Sequence, residues 1–189
     1  MSETLKISHY LAISGIILIA GFAVGFGLSI TEPAFGETLL TLFQEMIAGQ
    51  IMGDDPPMLA LQLFLNNLEA CVVIFIGGAF FGFLSVFILM MNGVIIGAVL
   101  EIVRKEAGYI ALIAAIVPHG IFELPAVIAS GALGLMLGRS VKNELAGGSE
   151  ASIEAWSLGG YFLKYIIPFV AIAAIIEAFI TPAVLQMVT

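Results

Sequence analysis

Apolar residues run almost without interruption from Leu11 to Ile30, from Asn67 to Met91, from Tyr109 to Gly138 and from Gly160 to Leu185. Each run reaches the roughly 20 residues a helix needs to cross the ~30 Å hydrocarbon core of a bilayer. No other feature constrains the fold as much. In hydrocarbon every backbone N–H and C=O must find its partner inside the chain, which leaves helices or a closed barrel. A barrel needs short strands of alternating polarity, and these runs do not alternate. The sequence therefore predicts an all-α, polytopic transmembrane bundle.

Composition agrees. Apolar residues make up 61% of the 189 and charged residues 11%, about half the charged share of a soluble domain. A soluble globule this apolar lacks the polar surface to cover itself, whereas the outside of a lipid-embedded bundle can be apolar too. The net charge of −8 excludes nucleic acid as a partner, since phosphate binding needs clustered Lys and Arg. It equally excludes a polybasic lipid anchor. The bilayer itself is the expected partner. Cys71 stands alone in an apolar run, so there is no disulfide framework, and no zinc-type Cys/His spacing occurs. The first run follows a single Lys, exceeds a signal-peptide core in length and lacks a small-residue cleavage pattern, so 10–30 reads as a retained first transmembrane helix.

Residues 31–66 differ in kind. They hold Glu32, Glu37, Glu45, Asp54 and Asp55 with no Lys or Arg, and Leu39, Leu40, Phe43, Met46 and Ile47 recur at helical spacing. That pattern predicts an amphipathic extramembrane helical segment. Residues 67–189 predict a helical bundle with broken helices near 92 and 118. Asn92-Gly93 interrupts one run, and Pro118, Gly120 and Pro125 punctuate another that is too long for one straight span. The whole chain then reads as one integral membrane domain, 1–189, of five or six membrane segments, some discontinuous. Lys6, Arg139, Lys142 and Lys164 place a multi-pass protein in the cell membrane with its N-terminus cytoplasmic and 31–66 extracytoplasmic. Arg104 and Lys105 lie outside if 92–103 is a full crossing and inside if it is re-entrant. Trp156 and Tyr161 suit an interfacial belt.

Ionisable groups in hydrocarbon cost several kcal/mol each and persist when paired or facing a cavity. The informative residues are thus Asn66, Asn67, Glu69, Asn92, His119, Glu123 and Glu177. His119 and Glu123 are spaced i, i+4, which puts both on one helix face. Pro118 and Val117 predict a helix that stops and restarts at His119. The same face continues as Ala126, Ser130, Gly134 and Gly138, a small-residue stripe for close packing. His119, Glu123 and Glu177 are candidate metal ligands, a proton or solute path, or a polar lock on a broken helix. The expectation is no cofactor, with a metal ion at His119 and Glu123 as the alternative. Small-xxx-small faces exceed what one five-helix bundle needs, which allows a homodimer.

Asn66-Asn67, Met91-Asn92-Gly93 with Gly97, the block Pro118-His119-Gly120-Ile121-Phe122-Glu123-Leu124-Pro125-Ala126, and Ile176-Glu177-Ala178-Phe179-Ile180-Thr181 together resemble the stage II sporulation protein M family of small integral membrane proteins. The likeness covers residue 60 to the end; the N-terminal third matches only in layout. It implies a polytopic helical membrane protein with no established enzymatic activity, whose Asn, His and Glu positions fall on Asn67, Asn92, His119, Glu123 and Glu177. In spore formers the family's namesake works with two partners that degrade cell-wall glycan and is taken to anchor them at the membrane.

Three functions compete. The first is a non-enzymatic membrane scaffold that docks membrane or envelope protein partners. The second is a transporter or channel for an ion or small solute using the His/Glu site. The third is an intramembrane metal-dependent enzyme. Catalysis draws on least, because one His in the bundle and two carboxylates are a thin supply of ligands and bases, and neither G-x-S-x-G nor H-E-x-x-H is present.

Overall fold

The computed structural model describes residues 3–39, 41, 55–148 and 150–188. Helix α1 is Glu3–Thr31 and α2 is a short helix at 33–39. Helix α3 is Pro56–Ile76, followed by a 3-10 turn at Gly77–Ala79. Helix α4 is Phe83–Leu145 and α5 is Ala151–Tyr161. A π-helical stretch, Phe162–Ile166, joins α5 to α6, Ile167–Phe179, and α7 is Thr181–Gln186. No strand occurs among the described residues. Among the described residues, four helical stretches are long and apolar enough to cross a membrane: Ile7–Thr31, Pro56–Ala79, Phe83–Leu145 and Ala151–Gln186.

The 63 residues of α4 would measure roughly 95 Å if straight, about three bilayer cores. They are not straight. Gly108, at φ 81° and ψ 176°, breaks the helix into limbs 83–107 and 109–145. Backbone there is essentially glycine-only. The limbs fold back on one another. Gly82 packs on Gly138, Ser85 on Gly134 and Leu89 on Gly131, pairs that converge towards Gly108. The long helix is therefore a hairpin, and the bundle holds five segments of spanning length.

Contacts fix their directions. Along α1, Leu18 and Gly21 meet Gly93 while Phe26 meets Gly97, so the first limb runs parallel to α1. Tyr10 meets Arg139 and Ser14 meets Gly131, so the second limb runs antiparallel. On α3, Ile74 meets Gly134. Phe75 stacks on Phe162 at 5.4 Å between ring centres, while Leu63 packs with Ala174 and Ala178. One end of the bundle thus gathers residues 7–10, the 77–82 turn and 139–148. The other gathers 29–36, the start of α3, the Gly108 tip and α7.

Several boundaries differ from expectation. No break occurs at Asn92-Gly93. Asn92 Nδ2 donates to the Ile88 carbonyl at 2.9 Å, and a Cβ on Gly93 would strike the Leu18 carbonyl of α1. Gly93 is there for close helix approach, a use that looks the same as a helix breaker in sequence. Nor does the helix stop and restart at His119. Limb 109–145 runs through Pro118, Gly120 and Pro125. Each proline deletes one helical hydrogen bond, and neighbouring helices compensate in a membrane bundle. The interruptions lie instead at Gly108 and at 77–82, where Phe81 and Gly82 have φ of 57° and 83°.

The segment expected at 31–66 divides. Residues 40 and 42–54 lie outside the described ones. α2 folds back so that Gly36 rests on Ser29 and Ile102. Residues 56–66 are the first half of the spanning helix α3, because nothing between Pro57 and Gly77 ends a helix; Pro56 and Pro57 open it, as proline suits a first turn. Near the C-terminus, Pro168 removes an N–H and crowds the carbonyl four residues before it, and the π-helical stretch sits there. Pro182 similarly accompanies the step from α6 to α7, where Thr181 Oγ1 donates back to the Ile176 carbonyl at 3.3 Å.

Candidate functional site

Charged side chains of the spans come together in two groups. His119 and Glu123 share one face of limb 109–145, as their i, i+4 spacing requires. Glu177, near the end of α6, comes to meet them. One ligand atom from each of the three lies within 4.8 Å of the other two, and all three side chains are half-buried. The His119 Nε2 to Glu123 Oε2 distance is 3.9 Å, beyond hydrogen-bonding reach. His119 Nδ1 is buried and has no hydrogen-bond partner, a deficit of about 1–3 kcal/mol. Among the described residues no Lys or Arg pairs with either carboxylate. Two ionised carboxylates about 5 Å apart repel by roughly 3 kcal/mol at an effective dielectric of ~20. The arrangement is short of positive charge.

The remaining residues singled out in sequence do not join this group. Asn92 spends its side-chain amide on its own helix. Asn67 is half-buried on α3, and no described hydrogen bond links it to the triad. Gly93 is a close-packing position against α1, Gly120 is buried, and Pro118 and Pro125 sit inside a continuous helix. The small-residue stripe is used as read. Ser130 Oγ donates to the Ala126 carbonyl at 2.8 Å. Gly134 and Gly138 receive the backbone of the 77–82 turn. The buried Cys71 thiol lies against Ser130.

The second group went unread in sequence. Glu101 is fully buried, and Arg104 grips it with two bonds, Nε to Oε2 and Nη2 to Oε1, both 2.6 Å. Lys105 Nζ stands 3.5 Å from Glu101 Oε1 and donates to the Ser29 carbonyl at 3.0 Å. The Arg104 guanidinium also lies over the Tyr109 ring at 5.4 Å. This cluster ties the tip of the α4 hairpin to the end of α1. The i, i+3 spacing of Glu101 and Arg104 was its available signal.

The fold and its lipid-facing surface define a class: a polytopic α-helical integral membrane protein. Large apolar side chains are exposed all round the bundle, among them Ile16, Phe83, Phe87, Ile110 and Leu163, far more than a soluble monomer carries. The particular family follows from comparison. The family model of stage II sporulation protein M matches residues 12–182, and the chain belongs to that family. The match begins within α1, so the N-terminal third is included. An uncharacterized protein of Methanocaldococcus jannaschii is 30% identical over 126 residues, covering 65% of this chain and 70% of that one. A second uncharacterized protein of the same organism is 29% identical over 112 residues, 58% of this chain and about half (49%) of the relative. No solved structure matches significantly.

Proposed function

We propose that this chain is a non-enzymatic membrane scaffold that docks a membrane or envelope protein through the helical hairpin formed by the end of α4 and α5. One observation carries this reading. Gly138 already touches the 77–82 turn at the bundle end, yet α4 continues to Leu145, roughly 10 Å further. The chain then returns along α5, its start held by the Ala151 N–H donating to Glu144 Oε2 at 3.2 Å. This projecting hairpin leaves Leu145, Ile153 and Trp156 at 73%, 70% and 87% exposure, among the charged Lys142, Glu144, Glu150 and Glu154. Ile153 and Trp156 share a helix face, and an exposed Trp beside aliphatic residues is the composition of an interface anchor.

The bundle end that carries Arg139, Lys142 and Lys164 is placed in the cytoplasm by the positive-inside rule, which makes the docking surface cytoplasmic. Trp156 is the chain's single Trp, so intrinsic fluorescence reads this surface alone. In bilayers, Trp156 emission is expected to be quenched by acrylamide and untouched by brominated lipid tails. Quenching by the brominated lipid would instead make the hairpin a lipid anchor. An ion-translocating reading draws on the His119, Glu123 and Glu177 group, and would show as ion flux in proteoliposomes lost on Glu123→Gln.

A further inference from the structure

We propose that His119, Glu123 and Glu177 form a binding site for a divalent transition-metal cation of the zinc or manganese type, bridging the second limb of the α4 hairpin and helix α6. The proposal goes beyond the docking reading and does not depend on it.

Four observations support the site. The donor set is one imidazole nitrogen and two carboxylates, which are first-row divalent ligands in kind and, at three, in number for a site that keeps one position open. Their donor atoms lie within 4.8 Å of one another, and tetrahedral metal–ligand bonds of ~2.1 Å set donors about 3.4 Å apart, so a closure of roughly 1.4 Å completes the site. The three groups are not consumed by one another. The nearest His119–Glu123 approach is 3.9 Å, and the buried Nδ1 of His119 has no partner. No described Lys or Arg neutralises the carboxylates, so a dication supplies the charge that the surrounding helices do not.

Access and effect follow from the same geometry. The His119 and Glu123 side chains keep 16% and 24% exposure, so neither is sealed inside the bundle. Because His119 and Glu123 lie on one element and Glu177 on another, bound metal joins α6 to the hairpin. Binding therefore stabilises the folded protein in proportion to free metal concentration. The carboxylates and imidazole discriminate against magnesium, which prefers an all-oxygen octahedral shell.

The test uses the full chain in mild detergent, purified without chelator. Elemental analysis is expected to find about one zinc or manganese per chain. After EDTA treatment, added zinc or manganese should raise the melting temperature, and magnesium should not. Cobalt(II) should give a visible absorption band on binding. Glu177→Gln is the decisive variant, since it leaves the i, i+4 pair intact; it should weaken zinc binding more than about 100-fold, beyond the loss seen for outer-shell changes. His9→Ala, at an exposed residue of the opposite bundle end, should bind as wild type. Wild-type protein with no metal, no thermal shift and no cobalt band overturns the site whatever the variants do. Zinc retained by the triple variant His119→Ala, Glu123→Gln, Glu177→Gln is adventitious and overturns it equally. Trp156 quenching is read separately, so either proposal can fail alone.

Discussion

At the scale of single residues, the sequence marked the intramembrane carboxylates and imidazole but not how they are used. His119 and Glu123 were legible as a pair because helical spacing is local geometry. Glu177 was legible only as an ionisable residue in an apolar run; that it meets the pair depends on how α6 packs against the hairpin. Asn92 donates its side-chain amide to its own helix, since a polar side chain in an apolar run can satisfy itself there as readily as it lines a site. Glu101 went unread in sequence. It stands close to Arg104 and Lys105 at the end of an apolar run, and only the folded hairpin buries it completely. Removing one partner of a buried pair leaves a charge uncompensated. Arg104→Ala is accordingly expected to lower the melting temperature in detergent, and more than Lys105→Ala, whose longer 3.5 Å contact is secondary to the two 2.6 Å bonds of Arg104. Equal losses from the two variants would contradict that ranking.

At the scale of elements, glycine decides where helices bend and where they touch, and sequence does not separate the two uses. Gly93 and Gly97 let α1 approach backbone to backbone, as Gly21 and Gly25 do from the other side. Gly108 and Gly82 turn the chain. These small-residue faces are occupied within the chain, so they no longer argue for a homodimer. Two substitutions separate the roles. Gly93→Leu drives a side chain into the α1 backbone and should cost about 3 kcal/mol or more, at the upper end of overpacking. Gly108→Ala meets open space but forces a side chain into a glycine-only conformation, at about 1–3 kcal/mol. Thermal melts in one detergent check both. If Gly108→Ala proves neutral, the hairpin tip does not hold the conformation described.

At the scale of the whole molecule, an odd number of crossings is the prediction: if each of the five segments of spanning length crosses, the chain termini lie on opposite faces of the bilayer. Reporter fusions at the two ends should give opposite signals, N-terminus cytoplasmic and C-terminus outside; the same signal at both ends would mean that 83–107 does not cross. The sequence by itself determined that the chain lives in lipid, that it is helical and where its costly polar groups lie. Those follow from composition and from the need to pair every backbone group locally, which neighbours along the chain can satisfy. Only the tertiary structure decided that the 63-residue helix folds at Gly108 rather than breaking at Gly93 or Pro118, and that Glu177 joins His119 and Glu123. Both depend on which helix faces pack together, and in hydrocarbon that choice rests on close van der Waals fit between distant segments rather than on any local hydrophobic signal.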